Sequence, residues 1–462
     1  MTNDNSHYIR YGIPADQHFL LDEFLDSYDC IIVNASMQAH ATSALSKFLA
    51  EKVPWKQFAI DPQTHAFQAS PEMLQSKASA EKQMVKRSVL KIAEQYGTPI
   101  IDVVHAKKKL EAVELLNCAE LDAFVKRVLE FQSNAVEQEV QAGAAQDYYE
   151  FLRSEKGEED PPQTKPEFLF SPYFFIGSSD TENWIRANCI IASISVELAQ
   201  QMDAKLAVQV LAHSRILHDK EGYRKAVVNG YTQSLKQKPP NCIFLWVDDF
   251  DEHEASSEEL VEYGNIIREL GQLAPVVLPY GSYWSIACMK AGILPEIHGV
   301  GHSLGYGEHR QVFPVGGGLP IPRFYLKSLH KRMKFGSALA AAEEIGGMES
   351  RDAFLERVCS CRQCEQLIVN PAQDFIAQYG EVRATSFQRK GRTVNVEYPT
   401  PETQRNCVAH YMWCKMAEYQ SSTPATRGEL VDALRNTRND LLPVLGYDEV
   451  GHLERWISAL EH

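Results

Sequence analysis

Three cysteines stand close together in the chain, at Cys359, Cys361 and Cys364. Zinc binds four ligands in a tetrahedron and prefers thiolates and imidazoles, so this spacing predicts most of a metal site. His410 is the best candidate for the fourth ligand, and Cys407, three residues earlier on the same predicted helix, is the runner-up. Three incidental thiols in a loop are the alternative, but packing alone does not explain the spacing. A site filled by protein ligands is structural, which predicts a Zn²⁺ ion that pins the C-terminal helices to the rest of the fold, the barrel predicted below.

The composition indicates an ordinary folded protein. Apolar residues make up 44% of the 462 residues, enough for a large core, and charged residues make up 23%. No apolar run is long enough to span a bilayer, and residues 1–13 lack the pattern of a signal peptide. We therefore expect a cytoplasmic protein that does not enter a membrane. The net charge of −15 counts against non-specific binding to polyanions, although basic runs at 82–91, 107–109 and 323–334 leave room for a local basic face.

Short apolar stretches alternate with stretches of helical periodicity over most of the chain. The predicted strands are 30–34, 56–61, 168–175, 204–211, 242–247, 275–279 and 296–301. Apolar strands of this length, separated by helices, favour a parallel sheet that is buried on both faces. Seven or so such units predict an α/β protein with a (β/α)8 TIM-type barrel rather than an open sheet.

Two breaks in this alternation define the predicted domains. Residues 71–165 show mainly helical spacing, with apolar residues such as Phe124 and Val128 four positions apart, and predict a helical insertion that ends in the polar loop 154–162. A second loop, 316–322, is rich in Gly and Pro. We predict a barrel over residues 1–345 and a zinc-binding, helical subdomain over 346–462.

The triple cysteine followed by a histidine on a helix resembles the zinc subdomain of the tRNA-guanine transglycosylase superfamily. Residues 58–61 with 67–68 are similar to the family's purine-contacting strand, 208–210 to its glutamine strand, and 279–292 to the unit before its nucleophile strand. Residues 305–310 are similar to the branch that modifies DNA. The resemblance implies a (β/α)8 barrel with a structural zinc. It also implies exchange of a guanine for a 7-deazaguanine through a covalent carboxylate–sugar intermediate.

The chain departs from that family in three places. The 45 residues between Cys364 and His410 exceed the usual gap of the tRNA enzymes. The purine-contacting strand continues from Asp61 into Pro-Gln-Thr-His and lacks the usual Ser-Gly-Gly. Ile297 or His298 stands where the family has its nucleophilic aspartate, so a covalent step needs another carboxylate.

Four carboxylates are candidates for catalysis. Asp61 is our choice for general acid/base and for base recognition, because it ends a strand, where barrel sites form; a turn aspartate before proline is the alternative. Asp248 and Asp249 end the strand 242–247, and capping of the next helix is the alternative for both. Asp249 is the first substitute for the missing nucleophile, and Glu296 is the second.

Five further residues are candidates for substrate binding. Gln209 has an amide that pairs with a purine edge in two directions, and a hydrogen-bonded core residue is its alternative. Ser171 and Tyr173 lie near the end of the strand 168–175, where a flipped base would stack, although core aromatics are common. Glu308 and Arg310 follow a glycine-rich turn; the arginine would grip phosphate, and a surface ion pair is the alternative.

These features predict a pentosyltransferase that exchanges a guanine in nucleic acid, DNA rather than tRNA, for a 7-deazaguanine base. The resemblance also implies a homodimer, and a DNA target favours an ATP-driven partner that opens the duplex, because a paired base is buried in its stack. Two alternatives stay open. A transglycosylase-like barrel without its nucleophile would be a module that binds nucleic acid or a partner protein. The charge of −15 supports a small-molecule barrel enzyme.

Overall fold

The computed structural model describes residues 6–75, 85–138, 140–144, 146–147, 163–305, 308–313, 321–389, 392–421 and 426–462. The predicted polar loop 154–162 and most of the Gly/Pro loop 316–322 lie outside these residues. The chain divides into two compact units. The first comprises Met1–Phe250, Glu262–Gly281 and Leu294–Pro314, and the second comprises Asp251–Val261, Ser282–Ile293 and Val315–His462.

A sheet of eight parallel strands forms the centre of the first unit. The strands are β1 (Ser6–Tyr11), β2 (Cys30–Asn34), β3 (Gln57–Asp61), β4 (Leu169–Phe170), β5 (Leu206–Ala212), β6 (Cys242–Val247), β7 (Val276–Leu278) and β8 (Ile297–Ser303). Consecutive strands lie side by side except at the seam between β3 and β4, and β1 pairs with both β2 and β8. At this seam the Glu167 N–H donates to the Phe58 carbonyl at 2.8 Å. The sheet is therefore a nearly closed barrel of the TIM type, which confirms the predicted α/β barrel.

Two strands differ from the sequence-based expectation. The apolar pattern did not indicate β1, because its six buried residues include polar side chains on both faces. His7 bonds through Nδ1 to the Ser27 carbonyl at 2.5 Å, and Arg10 pairs with Asp61. The predicted strand 168–175 contains only the two residues of β4 in ladder pairing, since Pro172 has no N–H to donate.

Helices separate most of these strands along the chain. The α-helices that lie in the first unit are Ala35–His40, Thr42–Lys47, Pro71–Leu74, Arg87–Tyr96, Ile100–His105, Ala112–Leu116, Leu121–Ser133, Thr181–Gln201 and Lys225–Leu235, and Ser257–Gly271 belongs to both units. The longest of them, Thr181–Gln201, buries Ala192, Val196 and Ala199, which recur at the spacing of one helix face.

Aromatic side chains fill the lumen of the barrel. Tyr8, Phe168, Phe170 and Phe244 belong to one buried cluster, and the ring centroids of Phe170 and Phe244 lie 4.8 Å apart. Tyr8 on β1, Ala207 on β5 and Phe244 on β6 belong to this cluster. Because side chains alternate along a strand, the residues two positions before and after each of them also face the lumen. A second buried cluster, at the carboxyl ends of the strands, consists of Tyr173, Leu211, Trp246, Tyr280 and Val312.

The lumen packing predicts a large stability effect at Phe244. Phe244→Ala should lower the free energy of unfolding by about 3–5 kcal/mol, because it leaves a cavity in a close-packed core. Ile190→Ala, at a side chain that is 36% exposed, is the control and should change it by less than about 0.5 kcal/mol. Urea unfolding measures both. Equal losses in the two variants would contradict a packed lumen.

Two antiparallel hairpins and a group of helices make up the second unit. The hairpins are β9 (Arg323–Leu326) with β10 (Lys331–Lys334), and β11 (Val382–Arg389) with β12 (Arg392–Pro399). The α-helices are Tyr283–Lys290, Phe335–Glu344, Arg351–Arg357, Arg362–Leu367, Pro371–Tyr379, Pro401–Gln420, Arg427–Leu445 and Tyr447–Glu461. Among the described residues of either unit, no helix has both the length and the apolar character that crossing a bilayer requires.

Candidate functional site

A buried ion pair lies at the carboxyl ends of β1 and β3. Asp61, the last residue of β3, is 1% exposed, and its carboxylate accepts a hydrogen bond from the Arg10 guanidinium of β1. The Tyr173 hydroxyl donates to the other carboxylate oxygen at 2.6 Å, and so does the Gln63 N–H at 3.0 Å. Burial raises the pKa of Asp61, but the charge of Arg10 and the hydrogen bonds outweigh it and leave the pKa below its ordinary value. Asp61 is therefore ionised at neutral pH.

Arg10 is a residue that sequence analysis missed. Its guanidinium also donates to the Asn34 side-chain oxygen at 3.2 Å and lies 5.4 Å from the centroid of the Tyr280 ring. Its Nε has no hydrogen-bond partner within the described ranges. The signal was present in the sequence, since Arg10 follows the lumen residue Tyr8 by two positions. This spacing places Arg10 on the same face as Tyr8 only if residues 6–11 form a strand, which the sequence pattern did not indicate.

Gln209 is buried in the barrel with its amide unsatisfied. It is 1% exposed and lies on β5 between Ala207 and Leu211, two positions from each, and both of these residues belong to the inward-facing clusters. Neither its oxygen nor its nitrogen has a hydrogen-bond partner in the part of the chain that the structure describes. A buried polar group without a partner costs about 1–3 kcal/mol. An inward-facing amide that bears this cost is the strongest indication of a ligand site in the first unit.

Aromatic rings surround the ion pair. His65 stacks on Tyr173, with centroids 5.1 Å apart, and meets the Trp246 ring edge-on at 5.4 Å. Burial lowers the pKa of His65 to about 3, and the nearby charges of Arg310 and Arg10 act in the same direction, against Asp61. The ring is therefore neutral at physiological pH. The carboxyl end of the barrel thus combines one ionised, hydrogen-bonded carboxylate, that of Asp61, with flat, uncharged rings.

Asp248 and Asp249 lie at the same end of the barrel, directly after β6. Asp248 accepts a hydrogen bond from the Val312 N–H at 2.8 Å, and burial is the main cause that raises its pKa. Asp249 is 53% exposed and has one oxygen 3.2 Å from His309 Nε2 and the other 3.2 Å from Gln311 Nε2. Both aspartates therefore hold the same short segment, residues 308–313.

Segment 308–313 covers the strand ends. The Trp246 indole N–H donates to the Arg310 carbonyl at 3.1 Å, and the Arg310 guanidinium donates to the Tyr280 hydroxyl at 3.2 Å. Val312 packs with these rings and is 4% exposed, while Glu308 is half-buried. Arg310 and Glu308 thus lie at the carboxyl end of the barrel, on the segment that packs over Trp246 and Tyr280.

Two predicted site residues lie elsewhere. The Ser171 hydroxyl is 2.9 Å from that of Ser195, on helix Thr181–Gln201, so Ser171 faces a helix of the outer layer. Glu296 precedes β8 and lies at the amino end of that strand, opposite to Asp61. The structure thus brings Asp61, Tyr173, Asp248, Asp249 and Arg310 to one end of the barrel and leaves Ser171 and Glu296 apart.

Two surface pockets also lie away from the strand ends. One, of about 560 Å³, is lined by residues such as Gln38 and Arg127 of the helices. Another, of about 750 Å³, lies between Thr181–Gln201 and Lys225–Leu235. Among the described residues that line these two pockets, Gln38 alone has a buried polar atom without a hydrogen-bond partner, its side-chain oxygen. The barrel mouth is therefore the stronger candidate, although its cover is closed.

Four ligand atoms converge in the second unit. Those of Cys359, Cys361, Cys364 and His410 all lie within 4.8 Å of one another, and three of the residues are buried. His410 Nδ1 is 3.2 Å from the Cys361 sulfur and 3.4 Å from the Cys364 sulfur. Tetrahedral zinc with ordinary bond lengths places sulfur and nitrogen ligands about 3.5 Å apart. The predicted Cys3His cluster is confirmed, and its donors fit a metal such as zinc.

Neighbouring groups prepare this cluster for a metal. His410 Nε2 bonds to the Tyr325 carbonyl at 2.8 Å, which turns Nδ1 toward the sulfurs, and Phe324 stacks on the ring at 3.9 Å. Such a bond from the second ring nitrogen is typical of metal-bound histidine. Hydrogen bonds with the Cys359, Cys364 and Cys414 thiols, together with the charge of His410, lower the pKa of Cys361 and favour its thiolate.

The runner-up ligand, Cys407, lies outside the cluster. Its sulfur faces the Tyr379 carbonyl at 3.5 Å. Cys414, which sequence analysis did not select, is nearer: its sulfur is 3.7 Å from that of Cys359 and 3.8 Å from His410. The signal was its position four residues after His410, on the same helix face.

Comparison of the chain with protein-family models, with curated proteins and with solved structures gave no match. The barrel and the Cys3His cluster are therefore known from the structure of this chain. The transglycosylase resemblance depends on its residues alone and is taken up below as a proposal.

Removing the charge of Asp61 should be costly. Asp61→Asn leaves Arg10 buried without its counter-ion, so we expect the free energy of unfolding to fall by about 3–5 kcal/mol at pH 7. The pKa of Asp61 is lowered in the folded state, so its contribution is present above the ordinary Asp pKa of about 3.9 and is lost as the pH falls further. The deficit should therefore shrink below about pH 4. Asp249→Asn is the exposed control, and equal deficits in urea unfolding would disprove the role of the ion pair.

Metal content tests the ligand set. We expect one equivalent of zinc in the purified chain and in Cys407→Ser, and its loss in Cys361→Ser, because only the second substitution removes a ligand. Elemental analysis measures the stoichiometry, and thermal unfolding with a chelator measures the stabilisation that the metal supplies. Equal zinc in both variants, or none in the wild-type chain, would refute the assignment.

Proposed function

We propose that this chain is a pentosyltransferase that exchanges a guanine in nucleic acid, DNA rather than tRNA, for a 7-deazaguanine base at the carboxyl end of the barrel. The unsatisfied amide of Gln209 carries the proposal. The guanine edge offers the O6 acceptor next to the N1–H donor, and a glutamine amide offers a donor next to an acceptor. Binding of the base would thus satisfy both buried atoms at once.

The surroundings of Asp61 support recognition of a purine. An ionised carboxylate in a dry site accepts hydrogen bonds from the N–H groups of a base, and the bond from Tyr173 and the charge of Arg10 keep it fixed and charged. His65 and Tyr173 supply flat surfaces on which an unstacked base would lie. In this role Asp61 recognises the base, while its low pKa makes it a poor proton donor.

The exchange needs a carboxylate at the sugar. In the proposed first step its oxygen bonds to C1′ as the bond from C1′ to the purine nitrogen breaks, and the departing guanine takes up one proton. In the second step the incoming 7-deazaguanine loses a proton from its ring nitrogen, which bonds to C1′ and displaces the carboxylate. Asp249 is the first candidate, with Asp248 beside it. Both oxygens of Asp249 lie near side chains of segment 308–313, so movement of this segment would free the carboxylate and uncover the ion pair together.

Other parts of the chain have supporting roles in this proposal. Arg310 and Glu308, on the covering segment, would contact the phosphate and sugar near the flipped nucleotide. The Cys3His cluster of the second unit would hold a structural Zn²⁺, since four protein ligands leave no open position for a substrate.

A second candidate is a nucleic-acid-binding module without catalysis. It is favoured by the sequence of β8, Ile-His-Gly-Val-Gly-His-Ser, which contains no carboxylate where the family that the chain resembles has its nucleophile. Tight binding to DNA without release of guanine would support this candidate over the first.

Gln209 should show a trade-off between stability and function. We expect Gln209→Met to raise the free energy of unfolding by about 1 kcal/mol or more, because it removes an unsatisfied buried amide without leaving a cavity. The same variant should lose binding of guanine, measured by calorimetry. Destabilisation together with unchanged guanine binding would mean that Gln209 is an ordinary core residue.

Exchange of labelled guanine tests the reaction itself. The wild-type chain should incorporate label into DNA more than into tRNA, and Asp249→Asn should reduce the rate by at least about 100-fold, as expected for loss of a nucleophile. Glu296→Gln is the matched control, because Glu296 lies at the opposite end of the barrel. If neither polymer is labelled but DNA still binds, the reaction is refuted and the binding module is supported. Failure to bind either polymer at low salt would favour a small-molecule enzyme.

A further inference from the structure

The paired strands β11 and β12, Val382–Arg389 and Arg392–Pro399, form a two-stranded ribbon that contributes little to the core of its unit. The sheet contains only these two strands, paired from Val382 with Pro399 to Arg389 with Arg392. Residues 382–386 of the first strand are all exposed. Val396 is the buried exception, at 8% exposure. An isolated hairpin is marginally stable and buries little here, so packing does not account for it.

The ribbon is basic in an acidic chain. Residues 382–399 contain four basic residues, Arg383, Arg389, Lys390 and Arg392, and one acidic residue, Glu397, whereas the whole chain carries a net charge of −15. Arg383 and Arg392 are exposed. The register pairs Arg383 with Tyr398 and Arg392 with Arg389, which places both arginines on the same face of the ribbon.

The base of the ribbon adjoins the helix that carries the cluster residue His410. The Thr400 N–H donates to the Glu381 carbonyl at 3.1 Å and closes the hairpin. Helix Pro371–Tyr379 precedes the ribbon, and helix Pro401–Gln420, which contains His410, follows it. The ribbon therefore lies within the 45 residues between Cys364 and His410, and its second strand leads directly into the helix that carries His410.

We propose that the ribbon Val382–Pro399 is a docking arm that binds the phosphates of duplex DNA. The positions of Arg383 and Arg392 are roughly 20 Å apart along the ribbon, at about 3.3 Å per residue. This span exceeds the major groove of B-DNA, which is about 12 Å wide and admits a two-stranded ribbon. Arginines at both ends thus reach the phosphates on the two sides of the groove. The arm thus carries a local positive charge in a chain whose net charge is −15.

The chemistry of the ribbon favours DNA over a folded RNA. The major groove of an A-form duplex is too deep and narrow for side chains to enter, so a ribbon of this width does not fit it. The small polar residues Ser386, Thr393 and Asn395 share the face opposite to Arg383 and Arg392. The arm deepens the proposed function, on which the choice of a nucleic-acid target rests.

The test measures how binding by the full chain depends on salt concentration. The ligands are a DNA duplex of about 25 base pairs, an RNA duplex of about the same length, and single-stranded DNA. The variant is Arg383→Ala with Arg392→Ala. The control is Lys47→Ala with Lys52→Ala, which removes the same charge from exposed positions in the first unit. For duplex DNA, we expect the slope of log K against log salt to fall by about two in the variant and to stay unchanged in the control, because each lost phosphate contact contributes about 0.9.

Three results would overturn the proposal: an unchanged slope in the arginine variant, an equal fall in the lysine control, or an equal fall for the RNA duplex. Zinc content and thermal unfolding of each variant verify that it is folded. Guanine exchange, measured on the same preparations, separates the two proposals. Intact exchange with an unchanged slope refutes only the arm, whereas no exchange with the expected fall in slope refutes only the reaction.

Discussion

The ion pair between Arg10 and Asp61 is the interaction on which the arrangement of side chains at the carboxyl end of the barrel depends. Charges buried this deeply persist only when each has a partner. The pair joins β1 to β3, and Tyr173, which follows β4, bonds to the same carboxylate. The Thr64 hydroxyl adds a second link, since it donates to the Tyr173 carbonyl at 2.6 Å and accepts from its N–H at 2.9 Å. Side chains thus close the barrel at the seam where the strand ladder is weakest.

The polar residues at this end of the barrel differ in whether their hydrogen-bonding atoms have partners. Asp61 is fully engaged, and His65 is neutral because of its burial. Gln209 alone presents a whole amide without partners among the described residues. Natural proteins keep such a cost where function requires it. Asp248 and Asp249, which follow β6, both bond to segment 308–313 at the carboxyl end of the barrel.

The second unit is organised by its Cys3His cluster. Cys361 and Cys364 meet His410 across a long stretch of sequence, and the Tyr325 carbonyl orients the imidazole. A metal at this point would join helix Arg362–Leu367, which carries Cys364, to helix Pro401–Gln420, which carries His410 and follows the basic ribbon. The stretch between Cys364 and His410 includes two paired strands, Val382–Arg389 and Arg392–Pro399.

Local sequence pattern was enough for much of this architecture. The alternation of apolar strands with helices predicted the barrel, because a strand that is buried on both faces appears in the sequence as a continuous run of apolar residues. The spacing of Cys359, Cys361 and Cys364 with His410 predicted the cluster, because zinc ligation allows few arrangements. β1 escaped detection, since His7 and Arg10 interrupt its apolar record with partners that lie far away in sequence.

By itself, the sequence determined that the chain would form a parallel α/β barrel and a Cys3His cluster, and it nominated Asp61 and Gln209. Only the tertiary structure decided that Asp61 is paired with a residue 51 positions earlier, that the Gln209 amide is left unsatisfied, and that Glu296 lies at the opposite end from Asp61. The reason is physical. Local periodicity reports which face of a strand is buried, whereas the partner of a buried polar group is set by the register and closure of strands that are distant in the chain.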